Sequence, residues 1–160
     1  MRQAKNVFMY QPKLSLLQRI VSLPEFNVYI FAFLLNFVWE MLQMPLFALP
    51  PANTPYWPVI TMCAAATVAD GFIMLIAFWT ASSFARSRYW FVAGARSHVL
   101  IFLITGLAIT SAIELIATEM GVWVYSPLMP VLFGVGMSPF VQWVIPPLIT
   151  LWFTRRQLSV

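Results

Sequence analysis

The chain has 160 residues, 61% of them hydrophobic and only 9% charged, with a mean hydropathy of +0.83. An ordinary soluble domain carries about a quarter charged residues, so this composition excludes a soluble globular fold and implies a membrane protein. The net charge of +4 would suggest nucleic acid in a soluble protein; here topology and attraction to anionic lipid headgroups account for it, and no nucleic-acid role is assigned.

The first apolar stretch, 14–23, reads LSLLQRIVSL and sets Lys13 and Arg19 beside Leu16, Leu17, Ile20 and Val21, as a short amphipathic helix lying in the interface would; Pro24 ends it. Four longer segments, 28–49, 58–80, 98–118 and 137–153, approach the length of about 20 helical residues that crosses a hydrocarbon core. Residues 128–136 are apolar but carry Pro130, Gly134 and Gly136, a pattern that suits a re-entrant stretch before the fourth helix. The expected fold is all-α: a cytoplasmic segment 1–27 with its interfacial helix, a single four-helix transmembrane domain 28–153, and a cytoplasmic tail 154–160. The polar stretches between spans are too short to enclose a second core.

Lys and Arg number four before the first span, none in the next loop, three in the third, none in the fourth and two after the last span. The positive-inside rule then places both termini and residues 81–97 in the cytoplasm, and the loops PPANTPYWP and GVWVYSP on the far side. Tyr56, Trp57, Trp123 and Tyr125 in those loops are amphipathic aromatics expected at a headgroup boundary.

Four of the five carboxyl groups lie within or beside the apolar runs. On the first span Asn36, Glu40 and Gln43 form one stripe, with Trp39 beside it; on the second Cys63, Thr67, Asp70 and Met74 do the same, next to Gly71. Ser111, Glu114 and Thr118 stripe the third, and Ser138 and Gln142 stand near the outer end of the fourth, before Pro146 and Pro147. Counted from the cytoplasmic ends at about 1.5 Å per residue, Glu40 and Asp70 fall near midplane, Glu114 in the outer half, and Gln43, Glu119 and Gln142 toward the outer interface, so the polar positions converge on one half of the bundle. An intramembrane carboxylate costs on the order of 3 kcal/mol, and no Lys or Arg stands at this depth. Glu40, Asp70 and Glu114 must therefore share protons, accept hydrogen bonds or line a wet cavity. Interhelical hydrogen bonds of about 1 kcal/mol each are the plain structural use of such residues, but Asn and Gln alone would supply those at lower cost.

A softer set, Met41, Met44, Met62, Cys63, Met129 and Met137, falls in the same half, but Met commonly fills apolar cores and His98 stands at the opposite boundary, so no metal is assigned. No cofactor is expected either: FGVGMSP lacks the preceding strand and the Lys of a nucleotide loop. The lone Cys63 has no disulfide partner.

NFVWEMLQMPLF at 36–47, CAAATVADG at 63–71 and GVWVYSPLMPVLFGVGMSPFVQWVIPP at 121–147, with the closing Arg155 and Arg156, resemble a family of small, uncharacterised bacterial integral membrane proteins. The resemblance implies a multi-pass protein of the bacterial inner (plasma) membrane. The family often carries a basic residue where Val122 stands here, which removes a salt-bridge partner for Glu119. The Glu, Gly, Tyr and Pro pattern over 114–130 is similar to that of membrane-bound carotenoid hydratases.

Three functions fit these residues. In the first, Glu40, Asp70 and Glu114 move protons on an isoprenoid or lipid-like molecule, held by Asn36, Trp39, Gln43, Thr67, Trp123, Tyr125, Gln142 and Trp143. In the second, the stripes bury against partner subunits of a larger membrane complex, and the chain is a non-catalytic subunit or assembly factor. The third is a proton-coupled transporter, which would need an oligomer because the chain holds no inverted repeat.

Overall fold

A computed structural model describes residues 15–48 and 55–158, and it is mostly helical. The expectations for residues 1–14, for most of the loop PPANTPYWP and for the last two residues lie outside that part.

Helix α1 (Leu16–Val21) is set by a capping box: the Ser15 hydroxyl accepts from the Gln18 backbone N–H at 3.2 Å, and the Gln18 side chain accepts from the Ser15 N–H at 2.9 Å. The interfacial helix expected over 14–23 is thus a six-residue turn and a half. Pro24 both ends it and opens α2 (Pro24–Gln43), because a proline in the first turn loses no helical hydrogen bond. The Asn27 amide pins the corner, donating to the carbonyls of Val21 (2.7 Å) and Leu23 (2.8 Å).

The long apolar runs form α3 (Tyr56–Ala85) and α5 (Arg96–Glu119), joined through the short α4 (Trp90–Ala93). Helix α3 outruns its expected end at Thr80 by five residues, and over that extension the Ser82 and Ser83 hydroxyls bond back to the carbonyls of Phe78 and Trp79. With the 3₁₀ turn Met44–Leu46 that extends α2, three helices are long and apolar enough to cross a membrane: Pro24–Leu46, Tyr56–Ala85 and Arg96–Glu119.

The fourth apolar segment is not one helix. It divides into α6 (Met137–Gln142) and α7 (Ile145–Leu158), with the break at Trp143 and Val144. Pro146 and Pro147 supply no N–H and would clash with the carbonyls one turn back, so they start a new helix instead of continuing the old one. The expected re-entrant stretch folds as a hairpin of β1 (Val131–Leu132) and β2 (Val135–Gly136), paired Val131 to Gly136 and Leu132 to Val135. Its turn uses positive φ at Phe133 (52°) and Gly134 (84°), as tight hairpins require.

Helix α2 packs between α3 and α7, and α3 also packs against α5. At the basic end, Phe78, Trp90, Phe91 and Phe102 form an aromatic core, and the Trp90 indole donates to Ser82 Oγ at 3.1 Å. At the other end the core gives way to polar side chains.

Candidate functional site

Helical spacing brings the stripe residues to one place, and a single amide ties three helices there. The Gln142 Nε2 on α6 donates to Asp70 Oδ2 of α3 at 2.8 Å and to Asn36 Oδ1 of α2 at 3.0 Å, and lies 3.5 Å from Glu40 Oε1. Glu40 Oε1 takes a closer bond, 2.7 Å, from Gln43 Nε2 one turn along its own helix. Gln43 Oε1 in turn accepts from Ser138 Oγ (2.7 Å) and the Trp39 indole (3.2 Å), which also reaches Ser138 Oγ at 3.2 Å. Asn36, Gln43, Ser138 and Gln142 are all buried, so the network replaces water for every one of them.

Glu114 is buried on α5 and is held from the loop that follows: Glu114 Oε2 accepts from the Trp123 indole at 3.1 Å and from the Tyr125 hydroxyl at 2.5 Å. The Tyr125 oxygen also accepts from the Gly136 N–H at 3.0 Å, so the hairpin, the loop and α5 meet at one phenol. Burial and the bond to Glu114 push that phenol up from its ordinary value of 10.0 to about 12. The loop is anchored to α2 as well: Phe47 pairs with Tyr125, the Ala48 N–H donates to the Val124 carbonyl at 2.8 Å, and the Ser126 N–H donates to the Leu46 carbonyl at 2.9 Å. Trp123 and Tyr125 are therefore more than boundary aromatics; both aim their donors at Glu114.

Between these groups lies a cavity of about 400 Å³. Glu40, Gln43, Asp70, Glu114, Trp123 and Gln142 line it, together with Cys63, Met44, Met62 and an alanine-rich face of α3. Its volume falls in the range of small-molecule sites, and its wall is mostly apolar with a few convergent polar groups. Among the described residues the single ion pair, Arg88 with Glu25, is elsewhere, and no Lys, Arg or His lines the cavity.

Other residues expected here are placed differently. The fully buried Thr67 spends its hydroxyl on the Cys63 carbonyl at 2.8 Å and is absent from the cavity wall. Trp143 packs its ring against Gly106, in the apolar core, also away from the wall. Asn36, Trp39 and Tyr125 sit behind the lining residues and orient them. Tyr56 and Trp57 are highly exposed at the start of α3. Of the soft residues only Met44, Met62 and Cys63 reach the cavity, and among the described residues no three of His, Cys, Asp or Glu are grouped to hold a metal ion.

Sequence reasoning missed Thr110, which lines the cavity one turn before Glu114. Ser111 sits three residues before Glu114 and Thr110 four, so both spacings fit one face; burial selects Thr110, at 7% exposure.

No family model, no curated protein and no solved structure matches this chain.

Proposed function

We propose that this chain is an integral protein of the bacterial plasma membrane whose carboxyl-lined cavity binds, or acts on, an isoprenoid or lipid-like molecule. The observation that carries this reading is the cavity itself: three acidic side chains from three helices face one largely apolar space with no cation among the described residues that line it. In this reading Glu40, Asp70 and Glu114 hold and pass protons, while Gln43, Gln142, Trp123 and Tyr125 fix the orientation of the carboxyl groups. A role for the polar stripes as glue for partner subunits is less well supported, because Asn36, Gln43, Ser138 and Gln142 already bond one another or Glu40 within the chain.

In the same reading α6 and α7 together make a fourth crossing, and both termini are cytoplasmic. Two contacts support a shared basic end. Arg88 pairs with Glu25 at the start of α2, and the Arg155 guanidinium lies 3.9 Å from where a Cβ would stand on Gly94. Arg88, held by Glu25, has its already high pKa raised further. The chain also fits the small bacterial membrane protein family that its motifs resemble.

The test is native mass spectrometry of protein released gently from its own membrane, with extraction of whatever co-purifies. The expected result is a stoichiometric apolar ligand that is lost from Glu40→Gln and Asp70→Asn variants of unchanged helicity. A stoichiometric partner protein with no ligand would overturn the reading in favour of a complex subunit.

A further inference from the structure

The cavity has a deep part and a rim, and the two differ in chemistry. The rim is formed by Met62, Ala65 and Ala69 of α3, Ile113 of α5 and Val122, all exposed on the outer surface of the helix bundle. Met62, Ala65, Ala69 and Ile113 stand 6 to 13 residues from the near ends of their helices, a depth of roughly 9 to 20 Å. At that depth the surroundings of a spanning helix are hydrocarbon. The cavity thus opens sideways, between α3 and α5, and the alanines keep that side of α3 low enough to leave the gap.

The deep part offers acceptors. Both Gln142 amide protons are engaged by Asn36 and Asp70 and one of the two on Gln43 by Glu40, and the Trp123 and Tyr125 donors are engaged by Glu114. No hydrogen bond from the described residues reaches Glu40 Oε2, Asp70 Oδ1 or Glu114 Oε1. Thr110 adds an independent sign. Thr61, Thr67, Thr80 and Thr118 bond a carbonyl one turn back, whereas the buried hydroxyls of Thr110, Thr150 and Thr154 and the Trp143 indole have no partner among the described residues; of these four only Thr110, 93% buried, lines the cavity. A buried hydroxyl left unpaired costs free energy that a bound polar group would recover.

Resting on the ligand-binding reading above, we infer that the site takes a single-chain amphiphile with a hydrogen-bond-donating head, an alcohol or amine. Its head lies among Glu40, Asp70, Glu114 and Thr110, and its tail leaves into the bilayer between α3 and α5. An anionic head, phosphate or carboxylate, adds negative charge beside three carboxyl groups, with no cation among the described residues of the wall to offset it, and is rejected. An alcohol gives one donor, and an ammonium three, to the free carboxyl oxygens that carry no proton, and the Thr110 hydroxyl can give or accept a further bond.

Photoreactive probes with one common tail and a hydroxyl, amine, carboxylate or phosphate head would be added to the full chain in lipid nanodiscs, and the labelled peptides mapped. The alcohol and amine are expected to label residues 62–69 and 113 at least ten-fold more than the two anionic probes. Ala65→Trp, on the exposed rim, is expected to block that labelling, and Thr110→Val, nearly isosteric, to weaken labelling by the alcohol several-fold. Equal labelling by all four heads would overturn the head selectivity while leaving the lipid-binding reading intact. Labelling that Ala65→Trp leaves unchanged would overturn the sideways opening, and an unchanged alcohol signal in Thr110→Val would remove Thr110 from the site. The absence of labelling by any probe at these peptides would sink the lipid-binding reading itself.

Discussion

The Gln142 amide carries two protons and has three acceptors within reach. The shorter contacts, to Asp70 and Asn36, take them, and Glu40 relies on Gln43. Gln142→Leu keeps the volume but strips the donor from the buried Asn36 oxygen and the part-buried Asp70 carboxyl, so it is expected to lower stability by about 1–3 kcal/mol, read from the unfolding midpoint in mixed micelles. A wild-type midpoint would mean that water replaces the amide. Tyr125 makes a pH-dependent contribution. The fold favours its neutral phenol, with the pKa raised from 10.0 to about 12, so the stabilisation is complete below the unfolded value and is lost as pH rises through the folded one. Tyrosinate absorbance of the wild type minus that of Tyr125→Phe should accordingly appear only near pH 12. A difference signal complete by pH 10 would show that the contact to Glu114 is not kept.

At the scale of elements, two glycines let helices approach, with different tolerance. A Cβ on Gly106 would stand 1.8 Å from the Trp143 ring, which is buried and enclosed, whereas a Cβ on Gly71 would stand 2.7 Å from the rim of the Tyr29 ring. Gly106→Ala is therefore expected to destabilise by about 1–3 kcal/mol, and by more than Gly71→Ala, in the same micelle assay. Trp143→Leu should relieve the clash when combined with Gly106→Ala; strictly additive losses would show that α5 and α6 do not meet as described. The break between α6 and α7 serves this packing, since it turns Trp143 toward Gly106 and leaves Gln142 facing Asp70.

For the whole molecule, the apolar aromatic end and the polar cavity end divide the bundle along its length. The Arg88 to Glu25 pair joins two elements at the basic end, but the Arg88 side chain is 54% exposed and such pairs are worth little. Arg88→Ala is expected to change the midpoint by less than about 1 kcal/mol. Orientation is checked by single cysteines in a Cys63→Ala background, labelled with an impermeant maleimide. Ser87 and Gln157 are expected to react from one side of the membrane and Leu132 from the other; reaction of Ser87 and Gln157 from opposite sides would break the topology.

Hydropathy and charge belong to stretches of chain, so the membrane class and three of the spanning helices were legible without a fold. The same locality misled on the fourth, where length and apolarity suggested one helix and two prolines made two. Helical spacing also placed Glu40, Asp70 and Glu114 on the polar faces of their helices, because periodicity decides which residues share a face. It does not decide which faces meet. That Gln142 reaches across to Asn36 and Asp70, that Trp123 and Tyr125 turn inward to Glu114, that Thr67 and Trp143 turn away, and that the cavity opens between α3 and α5 were decided by tertiary packing alone. Each depends on the rotation of one helix about its axis relative to another, and that rotation is set by side chains distant in the sequence.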